Sequence, residues 1–415
     1  MRESEDLVID VGALLEKVEE AAPIDAVGVV AAELGRMVDA SAVTLLIADF
    51  SGRAVVRLTS ASRVEGARAR GPERAETVPL PGTVYEHVLR TQNADVEAMD
   101  DGARMVVPVT DRGDAIGLLE LDLPRYPSTD EILDISSAAH ALAYVVIAAR
   151  RHTDVFEWGQ RSTPFALAAE IQRRLLPPAY TCEAGQFTLA GWLEPAASVG
   201  GDTFDYTLDR DSLQVSITDA VGHQVAAALV ATLLVSALRN ARRRGLDLAE
   251  QARYANDALA ENAAPGQFVT GQLLRVDLRS GTAVIVNAGH TLPLRLRNGL
   301  VEEVDLRIEA PFGVLPGKAF EVQSFPLEPG DRIVFLTDGM QERNAASFDV
   351  AAALAASVDL HPREVVHELG AAVLKATGGD LRDDATMVCL DWYGGPPRGR
   401  VTEQGADPGR ASAPR

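Results

Sequence analysis

Apolar positions near the start of the chain recur at helical intervals. Over residues 5 to 37, Leu7, Val11, Leu14 and Leu15 fall on one stripe, and "AVGVVAAELGRMV" continues as a second helix, because steps of three and four return to one helical face. The period then shortens. "SAVTLLIADFSGRAVVRLTSAS", 41 to 62, holds two β-rich runs around Ser51-Gly52, the pattern of a hairpin. A helix over "LPGTVYEHVLRTQ", 80 to 92, precedes "RMVVPVTDRGDAIGLLELDL", two further strands turning at Arg112-Gly113. A helix rich in small apolar residues starts near Thr129, and from there Ile132, Ile135, Ala139, Leu142 and Val146 alternate steps of three and four. That rhythm suits a coiled-coil seam, and equally a helix packed within one subunit. "STPFALAAEIQRRLLPP" restarts a helix with Thr163 as N-cap and Pro164 at N1, stopped before Pro177.

The second half alternates differently. "VAAALVATLLVSAL", 225 to 238, is the longest apolar run. It is shorter than the roughly 20 residues of a membrane helix and is expected as a buried core helix. Residues 267 to 337 are strand-rich, with Asn298-Gly299 marking a hairpin between "PLRLR" and "VEEVDL". From 396, "PPRGRVTEQGADPGRASAPR" has little to bury and is expected to be a disordered tail.

The chain's 415 residues allow two domains at about 150 residues each plus linkers. Its formal net charge of −21 argues against nucleic acid or an anionic membrane as partner, since both need clustered Lys and Arg. An acidic surface can still concentrate divalent cations. The N-terminus, "MRESEDLVIDVG", lacks the basic and apolar regions of a secretory signal. With only Cys182 and Cys389, neither a disulfide framework nor a zinc site is expected, and a reducing cytoplasm fits best. The element order over 20 to 150, with the "RMVVPV...GLLELDLP" pair, resembles a GAF sensor domain. The resemblance implies a central antiparallel sheet with helices on one side, and either ligand binding or dimerisation. No cysteine is available there for a bilin, and His87 and His140 are read as ordinary helix residues.

Beyond about residue 179, β-rich runs repeatedly end in acids. "VGGDTFDY" carries Asp202 and Asp205, "LQVSITDAVGH" delivers Asp219, "DRIVFLTDGMQE" delivers Asp338, and "RDDATMVCLDW" places Asp383 and Asp384 before a strand. Any one of these is ordinary turn chemistry. Four such stations on strands of one domain can converge, and convergent carboxylates repel unless cations or protons neutralise them. Oxygen-only donors favour Mg²⁺ or Mn²⁺ over zinc.

The ordered set "EIQRRLLPP", "EPAASVGGDTFDY", "TDAVGHQVAAALVATLL", "VNAGHTLPL", "PFGVLPG", "LEPGDRIVFLTDGMQE" and "DDATMV" resembles the SpoIIE and RsbU-like serine phosphatases, the bacterial branch of the metal-dependent PP2C (PPM) superfamily. The fold class implied is α+β: a GAF-like α/β sensor domain, a helical linker, and a PPM phosphatase αββα sandwich of two antiparallel sheets. Boundaries follow as an N-terminal helix at 1–19, the GAF-like domain at 20–150, a linker or switch at 151–178, the phosphatase domain at 179–395 and the tail at 396–415. The resemblance implies two Mn²⁺ or Mg²⁺ ions bridged by Asp219, with Asp202 and the Ala220 carbonyl serving one ion, and Asp338 with Asp383 or Asp384 serving the other. The earlier acid of that pair, Asp383, is the aligned one. Asp205 is expected to support these ligands. His223 is a candidate contact to substrate, and His290 is read as organising a strand-end turn. The chain departs from the family where Gln224 replaces a glycine and Thr203 an aromatic residue, and no phosphate-clamping arginine announces itself.

The implied function is dephosphorylation of a phosphoserine or phosphothreonine on a STAS-type anti-sigma-factor antagonist, in a partner-switching pathway controlled through an unknown signal at the GAF-like domain. A homodimer through that domain and the linker is a further expectation. The alternative is a sensor or scaffold whose degenerate phosphatase domain acts by binding.

Overall fold

The computed structural model describes residues 9–49, 51–62, 76–160, 166–196, 200–222, 224–341, 348–379, 381–395, 400 and 402–413. The chain divides into one unit of residues 1–164 with 401–415, and a second of residues 165–400.

In the first unit, α1 (Val11–Glu20) and α2 (Ala26–Met37) precede β1 (Ala42–Ala48), β2 (Ala54–Ser62) and β3 (Glu76–Pro79). Next come α3 (Val84–Thr91), β4 (Asp95–Met99), β5 (Gly102–Asp111), β6 (Asp114–Leu123), α4 (Thr129–Ala149) and α5 (Val155–Gly159). The strands form one antiparallel sheet in the order β3-β2-β1-β6-β5-β4. The period of two sends Leu45 and Leu119 into the core under α1, α2 and α4, and Leu46 and Leu118 to the opposite face, where Val88 and Leu89 of α3 cover them. Helices therefore lie on both faces, not on one as expected, because both faces of the central strands are apolar.

The seam expected on α4 is spent inside the subunit. Ile135, Ala139, Leu142 and Val146 are buried in the first unit's own core, with Ile132 packed against it, so this stripe is not available as a dimeric linker. A capping box between Ser128 and Glu131 starts the helix. Residues 402–413, expected to be disordered, are also ordered against this unit. The Gly113 amide donates to the Gly405 carbonyl (3.0 Å), Arg90 Nε donates to the Ala413 carbonyl (2.9 Å), and Ala406, Asp407 and Ser412 are buried. A segment too poor in apolar side chains for a core of its own can still dock through its backbone.

The second unit begins with α6 (Leu167–Leu175), which ends ahead of Pro177 as expected, whereas Thr163 and Pro164 lie outside the described residues. One sheet orders β15 (Gln323–Pro326), β12 (Thr282–Ala288), β11 (Val269–Asp277), β10 (Ser212–Ala220) and β9 (Thr203–Leu208). The other orders β14 (Leu300–Glu303), β13 (Leu294–Arg297), β16 (Asp331–Leu336), β17 (Ala385–Trp392), β8 (Phe187–Glu194) and β7 (Thr181–Glu183). All their pairings are antiparallel. Phe187, Phe204, Ile217, Phe335 and Val388 fill the space between the sheets. Helices α7 (Gln224–Arg243) and α8 (Leu248–Asn262) cover the outer face of the first sheet, and α9 (Val350–Ala356) and α10 (Pro362–Ala376) that of the second. The result is an αββα sandwich. Asn298 and Gly299, both with positive φ (52° and 79°), make the expected hairpin between β13 and β14.

Helices α4 and α7 are both long and apolar enough to cross a membrane by length and composition, contrary to the expectation from run length. Half of each is buried against its own unit, which accounts for the apolar faces.

Candidate functional site

Strand polarity gathers the acids of the second unit. Asp202 immediately precedes β9, Asp219 and Ala220 end β10, Asp338 lies two residues past the end of β16, and Asp383 and Asp384 immediately precede β17. Antiparallel pairing of β9 with β10 sets Thr203 opposite Thr218, with their hydroxyls 2.6 Å apart. Pairing of β16 with β17 sets Leu336 opposite Met387. One hydroxyl then ties the sheets together: Thr337, fully buried, donates to Asp202 Oδ2 (2.7 Å) and accepts from the Thr386 amide (3.0 Å).

Close approach explains two glycines. A Cβ on Gly201 would lie 2.4 Å from the Ala220 carbonyl oxygen, and one on Gly339 would lie 2.0 Å from that of Asp384. Either side chain would push apart the turns that carry the acids.

The paired acids of β17 have separate tasks. Asp384 is buried, and its oxygens accept from the amides of Ala196 (2.8 Å), Gly201 (3.0 Å) and Asp202 (3.4 Å) and from Gln172 Nε2 (2.6 Å). With its lone pairs so engaged, it organises the turn around Asp202. Asp383 is half-buried and stands on the accessible side, accepting the Asp384 amide (2.9 Å). Gln172, on α6, also donates to the Asp202 carbonyl (2.8 Å). This helix therefore reaches both acids through one side chain.

Asp205 points away from the cluster. Arg239 and Arg242 of α7 hold its carboxylate (3.0 and 2.8 Å), and Arg239 also donates to the Leu175 carbonyl at the end of α6 (2.6 Å). It acts by joining α6 and α7 to β9, rather than by orienting Asp202 directly.

Asp219 is the opposite case. Among the described residues no donor reaches its carboxylate; burial first, then the charges of Asp338, Asp383 and Asp384, push it up to about 7. Asp202 is held well above the usual carboxylate range by burial and by Asp219 and Asp384, and burial raises Asp384 despite its donors. Among the described residues no three His, Cys, Asp or Glu side chains converge tightly enough to hold a metal ion by themselves. The cluster is a looser one, all oxygen and mutually repelling. That chemistry fits a hard divalent cation that keeps part of its water shell and takes only one or two carboxylates.

Sequence reasoning missed Thr337 and Gln172. The only hint of the first is that both "TD" pairs of the second unit, Thr218-Asp219 and Thr337-Asp338, stand at strand ends. His223 lies outside the described residues. His290 is buried, and the turn it was expected to organise is held by reciprocal bonds with Asn287 (2.9 and 3.1 Å). In the first unit, His140 Nδ1 faces the Thr110 carbonyl (2.9 Å), an ordinary structural contact.

Two facing antiparallel sheets flanked by helices, with acids at one set of strand ends, form an αββα sandwich with its candidate site at one edge. The family model for stage II sporulation protein E (SpoIIE) matches residues 209–393. Phosphoserine phosphatase RsbU of Bacillus subtilis is 23% identical over 54% of this chain and 68% of its own length. Protein IcfG of Synechocystis is 26% identical over 42% of this chain and 32% of its own length. The crystal structure of the RsbU and RsbW domains of Rv1364c from Mycobacterium tuberculosis is similar at 27% identity and a TM-score of 0.45, covering 51% of this chain and 62% of that one.

Proposed function

We propose that the chain is a metal-dependent protein-serine/threonine phosphatase that acts in the cytoplasm on a phosphorylated STAS-type anti-sigma-factor antagonist, under the control of a GAF-like first unit. The observation that carries this reading is Asp219, a half-buried carboxylate with three acids around it and, among the described residues, no donor. Asp219, Asp202, Asp338 and Asp383, with the Ala220 carbonyl, would hold the ions between them. Bound there, a pair of Mn²⁺ or Mg²⁺ ions supplies charge for the phosphoryl oxygens and acidity for a water attacking in line. The chain's own residues do the placing. Thr337 fixes Asp202, Asp384 fixes the Gly201-Asp202 turn, and Gln172 couples both to α6. Displacing α6 would withdraw a donor from each, which gives a signal at the first unit a physical route to the site.

The loose spacing of the acids is also what a domain that acts by binding alone would present. Purified full-length chain with Mn²⁺ and a phosphorylated STAS-type protein decides between them. Phosphate release, lost by at least about 10³-fold in Asp219→Asn, supports the enzyme. Full activity in that variant, or none in the parent despite calorimetric Mn²⁺ binding and a stable complex with the phosphoprotein, overturns it.

A further inference from the structure

The turn Asn287–Thr291 crosses from the first sheet of the second unit toward the second, next to the acids, and is held more tightly than a connector requires. Asn287 closes it at both ends of His290, Gln272 Nε2 donates to the Thr291 carbonyl (2.7 Å), and the Thr291 hydroxyl donates to the Leu336 carbonyl (2.6 Å). Inside it sits the His290 imidazole, 3% exposed, with Nδ1 2.9 Å from the Thr270 hydroxyl and the ring facing the Leu336 carbonyl.

Its neighbours indicate what it does there. Thr270 is the cross-strand partner of Asp219, and Leu336 ends β16, one residue before Thr337 and two before Asp338. We propose that His290 is a positioning residue for the metal site, linking the strand beside Asp219, through Thr270, to the strand end that carries Thr337 and Asp338, through the turn it shares with Thr291. It touches neither the metal ligands nor the substrate. The imidazole sets how far apart the two sheets stand where their acids must share cations, a spacing on which metal affinity depends steeply. This inference rests on the metal-dependent reading above.

Calorimetric Mn²⁺ titration of the full chain tests it apart from activity. His290→Ala is expected to weaken Mn²⁺ binding about tenfold, within the range seen on losing a residue that orients a metal ligand. His290→Asn, whose amide can occupy the place of Nδ1, should stay within about threefold of the parent. Thr270→Val, which removes the hydroxyl and leaves the turn intact, should reproduce the alanine loss and carries the test should His290→Ala fail to fold. With saturating Mn²⁺, kcat should recover toward the parent value. A lower melting temperature with Mn²⁺ affinity unchanged in both Ala and Val variants would make His290 structural only and overturn the proposal. A parent chain that binds no Mn²⁺ overturns the metal reading and this inference together.

Discussion

Glu120 in the first unit and Asp219 in the second are both acids set on β-strands among apolar neighbours, and their surroundings treat them in opposite ways. Burial alone would raise Glu120, but hydrogen bonds from Tyr85 and Arg57, the latter at 2.8 Å, outweigh it and hold the carboxyl below its ordinary value. Asp219 has the same burial effect with no donor among the described residues, and three like charges help drive it up to about 7. A fold that needs an acid for structure surrounds it with donors; one that keeps an acid for a ligand leaves it unpaired. Asp205, with its two arginines, belongs with Glu120 although it lies only three residues from Asp202.

The largest test of that contrast is the Asp219→Asn loss of activity already described. Its counterpart is what the substitution does without metal: removing one of four like charges should raise the melting temperature of the chain in chelator. A lower melting temperature would mean that Asp219 is structural and the contrast is false. The pH dependence follows from the same carboxyl. Its folded pKa, about 7, lies above the ordinary 3.8, so the folded state binds the proton more tightly. The stability this contributes is fully present below about pH 4 and is lost as pH rises through 7, amounting to about 4 kcal/mol. Glu120 has the reverse sign, contributing above its ordinary pKa and failing only as pH drops below that. Chelated protein melted between pH 4 and 8 should therefore show a component that weakens with rising pH, and Asp219→Asn should shrink it, leaving the part that Asp202 and Asp384 contribute with the same sign.

Glu120→Gln should cost the first unit about 2 kcal/mol, because Arg57 and Tyr85 lose a charged acceptor, while Mn²⁺ affinity stays at the parent value. Urea unfolding and calorimetry read the two effects separately. The smallest expected change concerns Gln224, which opens α7 at φ 57°, in the left-handed region where a side chain is strained and where the family carries glycine. Gln224→Gly should stabilise the second unit by about 0.5–1 kcal/mol. A destabilised variant would show that the side chain contributes more than its backbone costs.

Some of this was legible because it is local. Turns at Arg112-Gly113 and Asn298-Gly299, both with two consecutive positive φ values, announce themselves through the residues that tolerate them, and strand ends can be read from alternation followed by an acid. The edge strands β3 and β4 could not be, since "ETVP" and "DVEAM" are short and largely polar and become strands only by pairing with β2 and β5. The rhythm of α4 gave its face but not its partner, and the composition of 402–413 gave its lack of a core but not its backbone docking.

By itself the sequence determined which acids stand at strand ends, the periods that make helices and strands, and the all-oxygen chemistry on offer. Tertiary structure alone decided how those acids divide the work. The bond from Thr337 to Asp202 spans 135 residues and that from Gln172 to Asp384 spans 212. Whether a carboxylate meets donors, like Asp384 and Asp205, or only other acids, like Asp219, depends on what the folded chain brings beside it, and no local pattern encodes that environment.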